Sequence, residues 1–313
     1  MKILVTGATG FVGKVLCAEL IQHGYEVVAA MRTACAKPKN YEQVMVGSID
    51  GSTKWTEALS KVDVVIHLAA RVHVMSESAE NSLAEFRIVN VEGTLRLAQE
   101  AVNAGVKRFI FISSIGVNGN STVFGRPFSV NDKPKPISTY AISKFEAEQG
   151  LIKLSENTCM ESVIIRPPLV YGFGAPGNFK QLLHALKRQI PLPLGAINNK
   201  RSFVYVENLV SLILRCIDHP AAANQLFLVS DGDDLSTTEL LSKCAVALDV
   251  KATLLPIPQS WLEAVAKLVG KKEMAQRLCG NLQVDISKAC QLLEWTPPVS
   301  VTDGLKATAK RFH

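Results

Sequence analysis

The sequence contains no long hydrophobic run. None of its apolar stretches approaches the ~20 residues that a membrane-spanning helix requires. At the amino terminus, Lys2 is followed by only a few apolar or small residues before Thr6 and Gly7 interrupt them, which is unlike a secretory signal peptide. We therefore expect a cytoplasmic protein with no membrane partner.

Paired metal-binding or disulfide-forming cysteines are also missing. The 313 residues include seven cysteines, an odd number, with no C-x-x-C pair and no neighbouring histidine cluster. This pattern argues against a disulfide framework and against a structural zinc site. We expect reduced thiols and no bound metal.

A concentrated basic segment is the third feature that is absent. Lys and Arg number 34 against 28 Asp and Glu, which gives a net charge of +6 spread along the chain. Nucleic-acid binding is therefore not expected, and an anionic small molecule would account for the excess equally well.

Short apolar runs alternate with segments of helical periodicity, and 48% of the residues are hydrophobic. This alternation predicts an α/β fold with a parallel sheet that helices cover on both faces. The predicted strands are residues 3–5, 26–30, 64–68, 108–113, 162–166 and 225–229. After Pro167, proline and glycine recur, and we expect a loop-rich region there.

Three glycines follow the first predicted strand directly. Gly7, Gly10 and Gly13 form G-x-x-G-x-x-G at the start of a predicted helix that includes Phe11 and Val12. Such a turn lets the backbone approach a pyrophosphate, whose charge the helix amino terminus stabilises. A lone glycine triplet is weak evidence, but the strand, turn and helix order indicates a Rossmann-type dinucleotide site.

The end of the second strand bears on which nicotinamide cofactor is preferred. An acid there accepts the ribose 2′-OH of NAD, whereas an arginine favours the 2′-phosphate of NADP. This chain has Arg32 and no acid, with Lys37 or Lys39 as further cations. We expect NADP to be preferred over NAD, the alternative being that Arg32 is an ordinary surface residue.

Tyr140 and Lys144 form a Y-x-x-x-K pair on one face of a predicted helix. A lysine ammonium near a phenol favours the phenolate, so the tyrosine can exchange a proton with a carbinol near neutral pH. Ser114, at the end of the fourth strand, supplies a hydroxyl that can orient a carbonyl oxygen. A surface Tyr–Lys pair would be the simpler interpretation if this motif stood alone.

Together these motifs resemble the extended short-chain dehydrogenases, the NAD-dependent epimerase/dehydratase family, over essentially the whole chain. The family order is kept by residues 7–13, His67-Leu68-Ala69-Ala70, Asn90-Val91-Glu92-Gly93-Thr94, Ser113-Ser114 and the Tyr140–Lys144 pair. The resemblance implies catalysis by Ser114, Tyr140 and Lys144. It also implies further cofactor contacts from Ser48, Ile49, Leu68, Ala69, Ala70, Asn90, Tyr140, Lys144 and Pro167. His67 is expected to be a packed histidine, not a base.

The same resemblance implies two regions and a class of substrate. Residues 1–166 would be the NAD(P)-binding Rossmann domain and residues 167–313 mainly a substrate-binding lobe, with 224–230 rejoining the sheet. Arg201, in an Arg-x-Phe-Val-x-Val segment, matches the arginine that binds the diphosphate of nucleotide sugars. A UDP sugar is the expected substrate, with further contacts from Ser114, Asn178, Phe179 and Leu194.

Departures from the family pattern narrow the expected reaction. Ile115 and Gly116 stand where sugar dehydratases have an Asp-Glu pair, so dehydration is not expected. Arg166-Pro167-Pro168 and Arg32 favour a UDP-4-keto-hexosamine 4-reductase of surface polysaccharide synthesis. The alternative is a UDP-glucose or UDP-N-acetylglucosamine 4-epimerase, and a distant third is a non-catalytic NADP-sensing regulator. By analogy to the family we expect a homodimer, in which the helix that carries Tyr140 and the helix through Asn90–Ala101 pair across a two-fold axis. The apolar positions Leu95, Leu97 and Val102 favour this contact.

Overall fold

The computed structural model describes residues 1–33, 40–72, 79–270, 272–310 and 312. Lys37 and Lys39, named above as further cations, lie outside the described residues. Nine strands are described: β1 (Lys2–Thr6), β2 (Glu26–Met31), β3 (Glu42–Met45), β4 (Val64–His67), β5 (Arg108–Ile112), β6 (Glu161–Arg166), β7 (Leu169–Tyr171), β8 (Phe203–Tyr205) and β9 (Gln225–Leu228).

Eleven α-helices occur in the same part of the chain. They are α1 (Phe11–Gln22), α2 (Ala79–Arg87), α3 (Thr94–Asn103), α4 (Thr139–Glu156), α5 (Asn178–Lys187), α6 (Val206–Asp218), α7 (Thr237–Ala247), α8 (Gln259–Leu268), α9 (Lys272–Cys279), α10 (Ser287–Leu293) and α11 (Val301–Lys310). A π-helical turn (Ile88–Gly93) joins α2 to α3, and a 3₁₀ turn (Ile115–Val117) follows β5. None of the described helices is both long and apolar enough to cross a bilayer.

Seven strands form one parallel sheet in the order β3-β2-β1-β4-β5-β6-β9. Successive residues of β1 point to opposite faces, so Ile3 and Val5 pack in one cluster with α1 and α6, whereas Leu4 packs in another with α3 and α4. Both faces of the sheet are therefore covered, which requires nearly continuous apolar strands. The expected α/β Rossmann-type fold is confirmed.

The sheet has one feature that the sequence pattern did not reveal. β3, in which two of the four residues are polar, forms one edge of the sheet and pairs on one side only, with β2. β9 lies within the segment 224–230 that was expected to rejoin the sheet, and it pairs in parallel with β6 at the other edge.

The region after Pro167 is more ordered than its proline and glycine content predicts. β7 and β8 pair in parallel as a separate two-stranded sheet. Around them α5, α7 and α11 enclose a third apolar cluster that includes Tyr171, Phe179 and Tyr205. Strands of three residues are too short to produce a readable period, which is why a loop-rich region was expected. The proposed division into regions at residue 166 coincides with the end of β6.

One expectation about the α3 surface is wrong. Leu97 was counted among the apolar positions that would meet a second copy of the chain, together with Leu95 and Val102. Leu97 has no exposed surface and packs in the core under β4 and β5. Leu95 lies against α4 of the same chain, where a Cβ on Gly150 would come 2.6 Å from it. The homodimer itself stays a prediction.

The close backbone packing in the turn between β1 and α1 can be tested by substitution. A Cβ added at Gly13 would lie 2.2 Å from the carbonyl oxygen of Gly7, a backbone atom that cannot rotate away. We expect Gly13→Ala to lower the free energy of unfolding by about 1–3 kcal/mol, as overpacked cores do. Urea denaturation measures this. Gly51→Ala is the matched control because its Cβ would meet nothing closer than 3.5 Å, and equal stability of the two variants would contradict the packing argument.

Candidate active site

The turn between β1 and α1 is shaped to approach a ligand closely. Gly7 has a φ of +70°, a conformation that favours glycine, and a Cβ there would lie 2.9 Å from the backbone nitrogen of Ala69. Gly10 caps α1 and has no side chain to occupy the space in front of the helix. The first amides of α1 therefore present unpaired donors and the positive end of the helix dipole.

This turn fits the pyrophosphate of a dinucleotide, because backbone donors and a helix amino terminus bind phosphate groups. A second observation at the same edge of the sheet also fits a polar ligand. The Oγ atom of Ser113 is buried and has no hydrogen-bond partner among the described residues. The residues proposed to hold the cofactor would be those of the glycine turn, the ends of β2 to β6 and the start of α4.

The end of β2 carries the residue proposed to choose between the two nicotinamide cofactors. Arg32 follows β2 directly and is exposed. In the described part of the chain no ion pair involves Arg32. Ser48, in the loop after β3, is exposed, and Ile49 is partly buried against Gly93. The structure therefore places these three residues near the ends of β2 and β3.

A chain of hydrogen bonds connects the ends of β1 and β4. The backbone nitrogen of Ala69 donates to Oγ1 of Thr6 (3.1 Å), and Thr6 lies 2.7 Å from Nδ1 of His67. The other ring nitrogen, Nε2, lies 3.0 Å from Oγ1 of Thr94, which donates to the carbonyl oxygen of Asn90 (2.8 Å). Because the Thr94 hydroxyl donates its own proton to Asn90, its oxygen must accept from His67. His67 therefore carries its proton on Nε2 and accepts from Thr6 at Nδ1.

His67 has the surroundings of a packed residue. It has no exposed surface, and burial lowers its pKa to about 3, with the nearby Lys144 ammonium acting in the same direction. A neutral, doubly hydrogen-bonded imidazole is not available as a base near neutral pH. Its bonds instead hold the backbone at Ala69, within the proposed cofactor-binding segment Leu68, Ala69 and Ala70.

Asn90 lies in the π-helical turn and connects three parts of the site. Its Oδ1 accepts from the backbone nitrogen of Arg71 (2.8 Å), while its Nδ2 donates to the carbonyl oxygen of Arg71 (3.1 Å) and to Oγ of Ser143 (3.0 Å). Ser143 donates in turn to the carbonyl oxygen of Tyr140 (2.8 Å). Asn90 therefore links the segment after β4 to the first turns of α4.

Tyr140 and Lys144 lie one turn apart near the start of α4, whose amino-terminal cap is Ser138. The ring of Phe86 meets the Tyr140 ring edge-on at 5.9 Å between centroids. The Nζ atom of Lys144 lies 4.1 Å from the centre of the Phe111 ring, and Lys144 is only 1% exposed. The two side chains thus share the same end of the sheet.

Burial disfavours the charged forms of both residues. It raises the pKa of Tyr140 to about 12. It lowers the pKa of Lys144 to about 7, and the carboxylate of Glu148 opposes that effect. A Lys144 ammonium stabilises a Tyr140 phenolate, so whatever keeps Lys144 protonated also makes the phenol a better base.

Ser114 caps the 3₁₀ turn that follows β5. Its Oγ accepts from the backbone nitrogen of Gly116 (3.1 Å). Gly116 lets this turn lie against α4, since a Cβ there would be 3.3 Å from the Cβ of Ala141. The structure therefore brings the turn that carries Ser114 into contact with the residue next to Tyr140.

Pro167 borders the same group of residues. The backbone nitrogen of Ile115, next to Ser114, donates to the carbonyl oxygen of Pro167 (2.9 Å). Pro167 is buried and directly follows β6. Its position at the carboxyl edge of the sheet is compatible with the nicotinamide contact implied by the family resemblance.

Arg201 lies close to a second arginine that the sequence analysis did not single out. Nη1 of Arg201 donates to the carbonyl oxygen of Gly280 (2.9 Å). Burial lowers the pKa of Arg201 to about 10, and the positive charge of Arg277 on α9 contributes to that decrease. Two neighbouring guanidinium groups favour an anionic ligand. Arg277 was missed because it lies 76 positions further along the chain in a helix without a distinctive motif.

The other proposed substrate contacts are placed less favourably. Phe179 is 4% exposed and packs on Tyr171 with 5.7 Å between ring centroids. Leu194 is 6% exposed, and its carbonyl oxygen accepts from Oγ1 of Thr238 (2.7 Å). Both side chains contribute mainly to the apolar cluster around β7 and β8. The side chain of Asn178 lies outside the described residues.

The fold and the site together define an α/β protein of Rossmann type with a glycine turn after β1 and a Tyr–Lys pair in which Lys144 is buried. The sequence profile of the NAD dependent epimerase/dehydratase family matches residues 3–229. The chain belongs to this family.

Two relatives and one solved structure illustrate the similarity. A UDP-glucose 4-epimerase of Vibrio cholerae is 47% identical over 313 residues, covering 99% of this chain and 95% of the relative. A UDP-glucose 4-epimerase of Mycolicibacterium smegmatis is 28% identical over 340 residues, covering 100% and 99%. A crystal structure of UDP-glucose 4-epimerase with UDP-glucose from Thermotoga maritima is 25% identical, with a TM-score of 0.77 and coverage of 100% and 98%.

The contacts of Asn90 generate a stability prediction. Asn90→Ala would remove the partner of the partly buried amide and carbonyl of Arg71, and the hydrogen bond that the buried hydroxyl of Ser143 accepts. Each buried unsatisfied group costs about 1–3 kcal/mol, so we expect a loss of about 2–3 kcal/mol in the free energy of unfolding. Chemical denaturation measures it. Asn103→Ala, at an exposed position on α3, should change stability by less than about 0.5 kcal/mol, and a comparable loss in that control would refute the assignment.

Proposed function

We propose that this protein is a UDP-sugar 4-epimerase that inverts the configuration at C4 of the sugar. The observation that carries the proposal is the gathering of Tyr140, Lys144 and the Ser114 turn at the end of the sheet that also holds the glycine turn. The 47% identical Vibrio cholerae relative, whose name gives this activity, supports the choice of reaction.

Tyr140, Ser114 and Lys144 would each have a distinct role in the reaction. The Tyr140 phenolate takes the proton of the C4 hydroxyl and returns it in the second half of the reaction. The Ser114 hydroxyl donates a hydrogen bond to the same sugar oxygen, and Lys144 stabilises the phenolate and binds the nicotinamide ribose. NAD, held by the glycine turn and Lys144, would supply reversible hydride exchange at C4, which allows the hydride to return to the opposite face of the sugar.

The neighbouring charges of Arg201 and Arg277 support a nucleoside diphosphate sugar as substrate. A planar guanidinium can make two parallel, charge-assisted hydrogen bonds to phosphate oxygens. Arg201 also bonds to the backbone at Gly280, which limits the positions that its side chain can occupy. The diphosphate would then anchor the substrate while the sugar reaches Tyr140.

The epimerase takes the place of the reductase favoured from the sequence, because the relatives described above are named as 4-epimerases. The NADPH-dependent 4-ketoreductase remains as a second candidate, and one observation favours it. Arg32 is exposed at the end of β2, where an acid would be expected to accept the ribose 2′-OH of NAD. A 2′-phosphate would pair with this guanidinium.

One experiment separates the two candidates. The purified protein is incubated with UDP-glucose, UDP-galactose, their N-acetylated counterparts and a UDP-4-keto-hexosamine, with no cofactor, with NAD or with NADPH, and the C4 configuration of each product is determined by NMR. The epimerase interconverts the two sugars of a pair without consuming a reductant. Consumption of NADPH in proportion to a reduced 4-keto sugar, with no interconversion, would establish the reductase instead.

Replacing Tyr140, the proposed acid-base group, should lower turnover strongly without weakening dinucleotide binding. We expect Tyr140→Phe to lower kcat by about 10²–10⁴, the usual contribution of general acid-base catalysis, while the Kd for the dinucleotide changes little. Steady-state kinetics and fluorescence titration measure the two quantities. Tyr25→Phe, at a partly buried tyrosine before β2, is the control. A Tyr140→Phe variant within a factor of two of the unaltered protein would exclude this role.

Removing the proposed diphosphate contact should weaken substrate binding alone. Arg201→Ala loses charge-assisted hydrogen bonds worth about 1.5–3 kcal/mol, so we expect the KM for the UDP sugar to rise about ten-fold or more with unchanged cofactor affinity. Arg215→Ala is the matched control, because Arg215 also bonds to a backbone carbonyl, that of Leu293 (2.8 Å), but on α6. Unaltered sugar kinetics in Arg201→Ala would remove the main support for a nucleotide sugar.

A further inference from the structure

A fully buried ion pair lies behind the Tyr140–Lys144 pair. Glu148 on α4 and Arg166 at the end of β6 have side-chain exposures of 0% and 3%. Nε of Arg166 donates to Oε1 of Glu148 (2.9 Å) and Nη2 donates to Oε2 (2.5 Å). Burying two charges is expensive, and apolar residues of similar volume often serve stability equally well. The pair therefore calls for an explanation other than stability.

Arg166 also connects to the turn that carries Ser114. Its Nη1 donates to Oδ1 of Asn118 (2.8 Å), and Asn118 donates from Nδ2 to the carbonyl oxygen of Ser129 (3.1 Å). Pro167 follows Arg166 directly in the chain. One guanidinium thus ties α4, the end of β6 and the segment after Ser114 together.

Glu148 lies one helical turn after Lys144 on the buried face of α4, so the two charges are neighbours. The other titratable groups described around Lys144 do not supply a negative charge. His67 on β4 is held neutral by burial, which lowers its pKa to about 3. Tyr140 is protonated in the absence of ligand because burial raises its pKa. β5 contributes the Phe111 ring, and β6 contributes the cation Arg166.

We propose that Glu148 is a positioning residue, a counter-ion shared by Lys144 and Arg166 that keeps Lys144 charged for the reaction proposed above. Because Arg166 occupies both carboxylate oxygens, Glu148 cannot swing out to form a direct pair with Lys144. Its negative charge acts on Lys144 from a fixed distance instead. The ammonium group, over the Phe111 ring, stays free to meet the ribose and the Tyr140 phenolate.

Removing this charge should change the pH range over which Lys144 works. In Glu148→Gln the Lys144 ammonium loses a proton at a lower pH. Dinucleotide binding and catalysis, which both need the ammonium, should therefore decline at a lower pH than in the unaltered protein. A unit charge about 6 Å away in a medium of effective dielectric constant about 20 corresponds to about two pH units. We expect the alkaline limb of the pH profile of dinucleotide affinity, measured by fluorescence titration, to move down by about one to two units. The alkaline limb of kcat/KM should move with it.

A matched control separates this effect from the loss of a structural ion pair. Glu161 also accepts two hydrogen bonds from one arginine, from Nε (2.8 Å) and Nη2 (2.5 Å) of Arg108, both at its Oε2 atom, at the opposite end of β5 and β6. Glu161→Gln should lower stability while leaving the alkaline limb where it is in the unaltered protein. A limb that moves equally in both variants would overturn the proposal, because the shift would then reflect a general loosening of the sheet.

A second variant keeps the test informative if Glu148→Gln folds poorly. The double variant Glu148→Leu, Arg166→Met replaces the pair by apolar side chains, a change that is often neutral for stability. We expect it to fold and to show an alkaline limb that is lowered less than in Glu148→Gln, because loss of the Arg166 cation offsets part of the effect. A limb at its original pH would overturn the proposal. If the unaltered protein binds no dinucleotide, the proposed function fails and this inference with it. Normal binding with an unmoved limb overturns this inference alone.

Discussion

The site is built around a lysine charge that the protein holds almost entirely out of water. Lys144 is 1% exposed, and its ammonium faces the Phe111 ring. Desolvation pulls the pKa of Lys144 down to about 7, so the charged form depends on nearby compensation. Glu148 supplies that compensation, and Arg166 fixes the position of Glu148 by two hydrogen bonds.

The parallel sheet explains why the other groups meet at this point. The carboxyl ends of its strands lie along one edge, which places the glycine turn, the Leu68–Ala70 segment and Ser114 near the start of α4. Polar side chains then connect these ends: Thr6 and His67 hold the backbone at Ala69, and Asn90 holds Arg71 and Ser143. The proposed reaction at C4 of the sugar would depend on these hydrogen bonds, because they fix the position of Tyr140 relative to the cofactor.

The sequence predicted the sheet and the family because their signals are local: apolar runs, a glycine turn and a Tyr–Lys pair at helical spacing. It did not predict β3, β7 and β8, which are too short or too polar to show a period. Arg277 and the Glu148–Arg166 pair were also missed, since each depends on residues that only folding brings together. The sequence favoured a reductase through Arg32, whereas the relatives support an epimerase.

In the proposed reaction, hydride leaves C4 of a UDP sugar and returns to the same carbon from within the site. The most direct test uses UDP-glucose carrying deuterium at C4, incubated in ordinary water with the protein as purified and with NAD. We expect UDP-galactose that keeps the deuterium at C4, observed by NMR and mass spectrometry. Inversion with loss of the deuterium to solvent, or no inversion of any UDP sugar, would contradict it.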